Sequence, residues 1–275
     1  MKIKHRVSAK IQAVIDEPHQ NWGEKEAALQ AEFGLLIHDD FINALLIERL
    51  SEIRDYKDDK SEFVGKDIIL ARGPTFAVSL RLASESKKTD LASNSDIFFI
   101  AALDQPLTYR RFLLDDAVDL NIFTPDIQLA EQPVEVAPPM SVVKFSDPKV
   151  LFEIEVSHPT KIIRLVINRP RLMRASLLWS FSRQTLRPLG VSANEFKDTA
   201  MVHACEVLTE FDDDSSLAPL QELATSASAH FVRWAAIKSL ASIDADKALE
   251  IVQHAKFDSH PHIRSAAISA EQQLS

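Results

Sequence analysis

Cysteine occurs once in this chain of 275 residues, at position 205, and glycine only five times. A lone thiol excludes an internal disulfide, and with it the small stapled scaffolds of the secretory route; it fits a reducing compartment. The few glycines are dispersed. No Gly-rich loop is present to cradle phosphate, no Gly-x-Ser-x-Gly elbow exists, and no paired zinc-ligand spacing occurs. No run approaches the roughly 18 apolar residues of a membrane-crossing helix. The start, Met1-Lys-Ile-Lys-His-Arg-Val-Ser-Ala-Lys10, is basic but runs into a charged amphipathic segment where a signal peptide would have its apolar core. A net charge of −9 and a pI near 5.5 argue against nucleic acid or an anionic membrane as a general partner. The expectation is a soluble, cytoplasmic protein.

What the chain does contain is apolar material in quantity, 46% hydrophobic against 26% charged residues, enough for a real core. Its length implies two or three folding units. Residues 1–63 read as N-terminal helices that pack on a central β-unit. Val7, Ile11, Val14 and Ile15 recur at helical spacing and stop before Pro18. Glu24 to Phe33 are good helix formers, with Gly34 placed to end them. Asp39 can cap a third helix that carries Phe41, Leu45, Leu46, Ile47, Leu50 and Ile53. His38-Asp39-Asp40 needs no catalytic explanation, because acidic residues at a helix start follow from the dipole. Asp55 to Glu62 form a charged connector.

Residues 64–193 read as that antiparallel β-unit. Ile68-Ile-Leu70 and Phe76 to Leu82 flank the turn signal Gly73-Pro74. Two segments 53 positions apart, Ile97 to Leu114 and Val150 to Ile167, share one pattern: an apolar run, a break at Pro106 or Pro159, then a run carrying Arg111 or Arg164. Each is expected to be a strand–turn–strand hairpin. Ser84 to Ser95 is expected as a loop, and Val118 to Phe123 as a half-buried strand. Pro125, Pro133, Pro138 and Pro139 cut the intervening stretch into short edge pieces. Eight or so such strands predict a sandwich or jelly roll. Their rhythm resembles the cupin-type jelly roll. Metal-binding cupins carry paired histidines and a glutamate on adjacent strands; here the β-unit holds His158 alone, in a Pro turn, so no metal centre is implied. Pro170 to Ala175 is similar to the Arg-Ala region of the cyclic-nucleotide-binding β-roll, but the Gly-Glu part of that cassette is missing.

Residues 194–275 are helical and repetitive. Val232-Arg-Trp-Ala-Ala-Ile-Lys238 and Ile263-Arg-Ser-Ala-Ala-Ile-Ser269 match at an offset of 31, with Arg, both Ala and Ile identical. That period marks an α-solenoid. The segment resembles the HEAT-like repeats, whose second helix reads Val-Arg-x-x-Ala after a short Asp/Pro loop; Asp258-Ser-His-Pro-His-Ile-Arg264 fits that loop and helix start. Partner helices are expected over Leu217 to Thr225 and Ala245 to Ala255, with Asn194 to Glu210 as a divergent earlier helix. The alanines allow close helix approach, while Val232, Ile237, Ile263 and Ile268 fill the layer between repeats. The whole is therefore an α+β multidomain chain with two to three HEAT-like repeats at its end.

One absence is local. Between Val156 and Asn194 there is no acidic residue, yet Lys161, Arg164, Arg169, Arg171, Arg174, Arg183 and Arg187 are present. Such a stretch can bind an anion bidentately, with Trp179 and Phe181 offering stacking surfaces; alternatively its arginines pair with acids elsewhere. Arg164, Arg169, Arg171, Arg174 and Trp179 are the candidate ligand-binding set. Arg233, Trp234 and Arg264 are the candidate partner-contacting set on the repeats, although the recurrence of Arg also suits loop bonding. His254, His260 and His262 would hold a metal only by converging with a carboxylate such as Asp258, and His260-Pro-His262 reads as loop capping; no metal ligand and no cofactor is assigned. Cys205 lies on an apolar helix face without a base, and Asp212 to Ser216 lack the spaced ligands of a calcium loop. No catalytic residue is assigned. The expectation is a non-catalytic interaction or regulatory module whose partner is another protein. The alternatives are a sensor of an anionic small molecule and an unrecognised enzyme of cupin-like fold. Nothing in the sequence fixes the oligomeric state.

Overall fold

The structure, a computed structural model, describes residues 3–18, 21–38, 41–55, 63–64, 67–84, 90–170, 173–211 and 214–274. It divides into two compact units, one of residues 1–118, 126–174 and 180–189, the other of 119–125, 175–179 and 190–275.

The first unit opens with α1 (Ile3–Asp16), α2 (Trp22–Ile37) and α3 (Phe41–Asp55). In α1, Val7 and Ile11 lie one turn apart and are both buried, as the spacing predicts. Asn21 caps α2, its Oδ1 accepting from the Glu24 N–H at 3.0 Å. Gly34 does not end α2. The helix runs on to Ile37 because Leu36 and Ile37 reach the core, which outweighs the ~1 kcal/mol helix penalty of glycine. The proposed cap Asp39, with Asp40, lies outside the described residues, as does most of the charged connector.

A six-stranded antiparallel sheet comes next, in the order β1 (Phe63–Val64), β2 (Asp67–Arg72), β3 (Phe76–Ala83), β11 (Thr160–Ile167), β5 (Ile97–Ala102) and β9 (Val143–Phe145). The β2–β3 turn needs glycine: a Cβ on Gly73 would lie 2.0 Å from Phe76 Cε1. A second sheet joins β10 (Val150–Glu155), β6 (Leu107–Leu113), β7 (Ala130–Glu131) and β8 (Glu135–Ala137). A third runs β13 (Pro188–Ala193), β12 (Leu177–Ser182) and β4 (Asp90–Ala92). Thus the Ser84–Ser95 stretch, expected as loop, contains a strand, and Leu91 on it is buried.

The two similar segments are not hairpins. β5 and β6 lie in different sheets, and so do β10 and β11. The copies pair with each other instead, β5 with β11 (Ile97 opposite Ile167) and β6 with β10 (Leu113 opposite Val150). Each Pro break is a corner that carries the chain from one sheet to the other. The corners clasp: the Lys161 N–H donates to Asp104 Oδ1 at 3.1 Å, and the Gln105 amide donates to the Thr160 hydroxyl and to the His158 carbonyl. Along β5 alternate residues serve opposite faces. Ile97, Phe99 and Ala101 join the helices α1–α3 in one core, whereas Ile100 and Ala102 join Leu107, Tyr109, Val143 and Phe145 in another. With both faces covered, an unbroken apolar run is what the strand requires.

Val118 to Phe123, all but the first of them in the second unit, do not form the predicted strand. Asp119 Oδ1 accepts the Asn121 N–H at 2.9 Å, and the Asp119 carbonyl accepts the Ile122 N–H, an Asx turn that competes with extension. The helices are α4 (Phe196–Phe211), a 3-10 turn at Asp214–Ser216, α5 (Leu217–Ser226), α6 (His230–Ile243), α7 (Ala245–Ala255) and α8 (Pro261–Leu274). Cys205, Leu220, Ala236, Leu240, Val252 and Ala267 share one core. Val232, Ile237 and Ile263 are buried as expected, the two isoleucines within the repeat core, but Ile268 is 49% exposed. Among the described residues no helix is long and apolar enough to cross a membrane.

Candidate protein-interaction face

The basic stretch carries its own counter-ions, drawn from distant parts of the chain. Arg164 and Arg81 both bind the buried carboxylate of Asp67. Burial pulls the Arg164 pKa below its ordinary value, opposed by the attraction of Asp67. Arg169 stands 3.9 Å from Glu26, Arg174 is 3.5 Å from Asp96, and Arg183 bridges Glu153 and Glu131 at 2.9 and 3.0 Å. Arg171 lies outside the described residues. Trp179 is 0% exposed and offers no stacking surface. Its indole N–H donates to the Leu120 carbonyl at 2.9 Å, and its ring packs on Phe123. The structure therefore gives Arg164, Arg169 and Arg174 intramolecular acids and buries Trp179.

On the repeats, Arg233 is buried and makes a fork on Asp258, with Nε and Nη2 at 2.9 and 2.7 Å from its two oxygens. Its Nη1 also donates to the carbonyls of Ala227 and Ser228. Arg264, 31 positions on, binds the equivalent carbonyls of Asp258 and Ser259. Both arginines thus close their own loops, and Arg233 in addition ties its repeat to the next. Trp234 is half-buried against the repeat core. Burial of Asp258 alone would raise its pKa, but hydrogen bonds from Arg233 and from the His260 N–H leave it below its ordinary value.

Three histidines converge. His230 opens α6, and His260 and His262 flank the start of α8. One ring nitrogen of each lies within 4.8 Å of those of the others. His230 and His260 stack in parallel at 3.6 Å, and His262 stands at 70° to His260 with centroids 5.1 Å apart. Burial, followed by the neighbouring imidazoles, pushes the His230 pKa down to about 4; the His260 pKa is lowered too, again first by burial. His254, which the sequence grouped with these two, is exposed on α7 and outside the cluster. His230 takes its place because the repeat offset sets it beside His260, which corresponds to Ala229 one repeat earlier.

The feature the sequence reading missed lies on α4. Cys205 faces the core, with Val202 and Leu208 packed beside it. Phe196, Ala200, Ala204, Val207 and Phe211 are all exposed, with Phe196 at 87%, Val207 at 52% and Phe211 at 72%. At 3.6 residues per turn these five fall within roughly 80° of the helix circumference, opposite Cys205. A helix apolar on both sides is normally covered on both. The spacing of 4, 4, 3 and 4 was present in the sequence; which of the two stripes would face solvent was not.

Residues 193–271 match the family model of HEAT repeats, and the second unit carries such repeats. No curated protein matches the chain. Among solved structures, hydroquinone 1,2-dioxygenase PnpCD in complex with Cd2+ and 4-hydroxybenzonitrile aligns at 12% identity and a TM-score of 0.28, over 40% of this chain and 69% of that one. The hydroquinone 1,2-dioxygenase from Sphingomonas sp. TTNP3 with 4-hydroxybenzoate bound aligns at 10% identity and a TM-score of 0.27, over 43% of this chain and 87% of that one. Scores this low carry no argument about what this protein does.

Proposed function

We propose that this protein is a non-catalytic, cytoplasmic interaction module whose HEAT-repeat unit binds another protein through the exposed face of α4. The observation that carries this reading is the stripe Phe196, Ala200, Ala204, Val207 and Phe211. HEAT repeats stack helices side by side, and this stripe has the shape of one further packing layer. Burying Val207 and the two phenylalanines against a partner is worth about 1.5–3 kcal/mol for each large side chain, enough to make them an anchor cluster. The occupant that fits is an amphipathic helix of a partner protein, seated ridge into groove.

The test compares wild type with Val207→Asp/Phe211→Asp. Both positions point away from the core, so the variant keeps its fold by circular dichroism and thermal melting. The expected result is a protein retained by wild type from native extract and lost with the variant, its direct binding then reproduced with purified components. Equal retention by both, or no binding by purified components, overturns the proposal.

A further inference from the structure

We propose that His230, His260 and His262 form a binding site for a divalent transition-metal ion of the zinc class, with three imidazole nitrogens as ligands and a fourth position open to water. The three rings come from the start of α6 and the start of α8, so the repeat fold itself assembles the set. Their candidate ligand atoms lie within 4.8 Å of one another. Two nitrogens bound at 2.0–2.1 Å to one tetrahedral ion stand about 3.3 Å apart. Closing the remaining gap requires His230 and His260 to tilt out of their parallel stack so that both lone pairs point at one ion, and His262, whose side chain is exposed, to rotate towards them.

A second observation concerns the tautomer of His260. Its Nε2 lies 3.1 Å from the backbone carbonyl of Asn121. A carbonyl only accepts, so Nε2 carries the proton and Nδ1 keeps the lone pair. A ligating histidine is commonly held by just such a bond from its other nitrogen to a backbone carbonyl. The His260 Nδ1 receives only a long contact of 3.3 Å from the His262 N–H, which an ion displaces at little cost. Asn121 is itself fixed, its Oδ1 accepting from the N–H and the hydroxyl of Ser176 at 2.8 and 3.0 Å.

The ligand chemistry sets the class of ion. Imidazole suits zinc, copper, cobalt and nickel, whereas calcium and magnesium require oxygen ligands. Asp258, whose carboxylate acts on both His230 and His260, is engaged by Arg233 and the His260 N–H. It acts as a counter-charge beside the site and not as a ligand. A bound ion would join the starts of α6 and α8 and stiffen the repeat stack.

The experiment uses the full chain without an affinity tag, stripped with chelator. Zn2+ is titrated calorimetrically, and Co2+ is followed by its visible absorption. The expected result is one equivalent bound, a raised thermal midpoint, and no response to Mg2+ or Ca2+. His262→Ala is expected to weaken binding at least about tenfold, the lower end of what loss of even an outer partner costs. His254→Ala leaves it unchanged. His230→Ala is expected to act like His262→Ala; should it fail to fold, the exposed His262 decides alone. No uptake at millimolar Zn2+, uptake unchanged by His262→Ala, or an equal response to Ca2+ overturns the proposal.

Discussion

Arg233 ties two repeats together, holding Asp258 by a fork and two loop carbonyls by its remaining nitrogen. Its replacement leaves a largely buried carboxylate without its partner, a loss of about 3–5 kcal/mol. Arg233→Ala is therefore expected to lower the midpoint of urea unfolding strongly. Arg264→Ala, which removes only two carbonyl contacts, costs about 1–2 kcal/mol. Near-equal effects of the two would contradict this ranking. Cys205 is fully buried, and burial raises the pKa of its thiol. It is expected to resist aromatic disulfide reagents in the native state and to react at once in denaturant, read by absorbance; rapid native labelling would show the site open. At this scale the identity of Arg233 was legible from the repeat, but the Asp67 partner of Arg164 was not, because 97 positions separate them in sequence.

Helix α2 shows how packing overrides a local signal. Gly34 reads as a stop, yet the helix continues because Leu36 and Ile37 are buried beyond it. A Cβ at that position would meet only Val142 Cγ2 at 3.9 Å, an ordinary contact. Gly34→Ala is expected to stabilise the protein by about 0.5–1 kcal/mol, by removing unfolded-chain freedom and improving helix propensity. A lowered melting temperature would show that glycine is required there. The strands carry the opposite lesson. The Pro106 and Pro159 breaks were legible, as were the strands on either side. Whether each break turned back within one sheet or crossed to another depended on pairing partners distant in sequence, from Val150 opposite Leu113 to Ile167 opposite Ile97. Asp104→Ala combined with Gln105→Ala removes the clasp between the two corners and is expected to cost about 1–3 kcal/mol, measured by denaturant titration. An unchanged midpoint would mean that the strand ladders alone fix the corners.

The second unit gathers residues 119–125 and 175–179 together with the helical repeats. Trp179 is bonded to Leu120 and packed on Phe123, Asn121 accepts from Ser176 and from His260, and Asn194 donates to the carbonyl of Ala175. Repeats excised as residues 194–275 lose all of these partners. Such a fragment is expected to melt at a lower temperature than the helical transition of the full chain, followed by circular dichroism at 222 nm. Equal midpoints would show the added segments to be passengers.

The sequence by itself determined the elements whose cause is local: the helical periods of α1 and α4, the 31-residue repeat, the Pro-bounded strands, and a lone thiol on a core face. Side-chain period and turn chemistry act over a few residues and leave their mark there. Only the tertiary structure decided which stripe of α4 faces solvent, which acids neutralise the arginines, which sheet each strand enters, and that His230 meets His260 and His262. Those are meetings of distant residues, and they arise from how whole elements bury their apolar faces against one another.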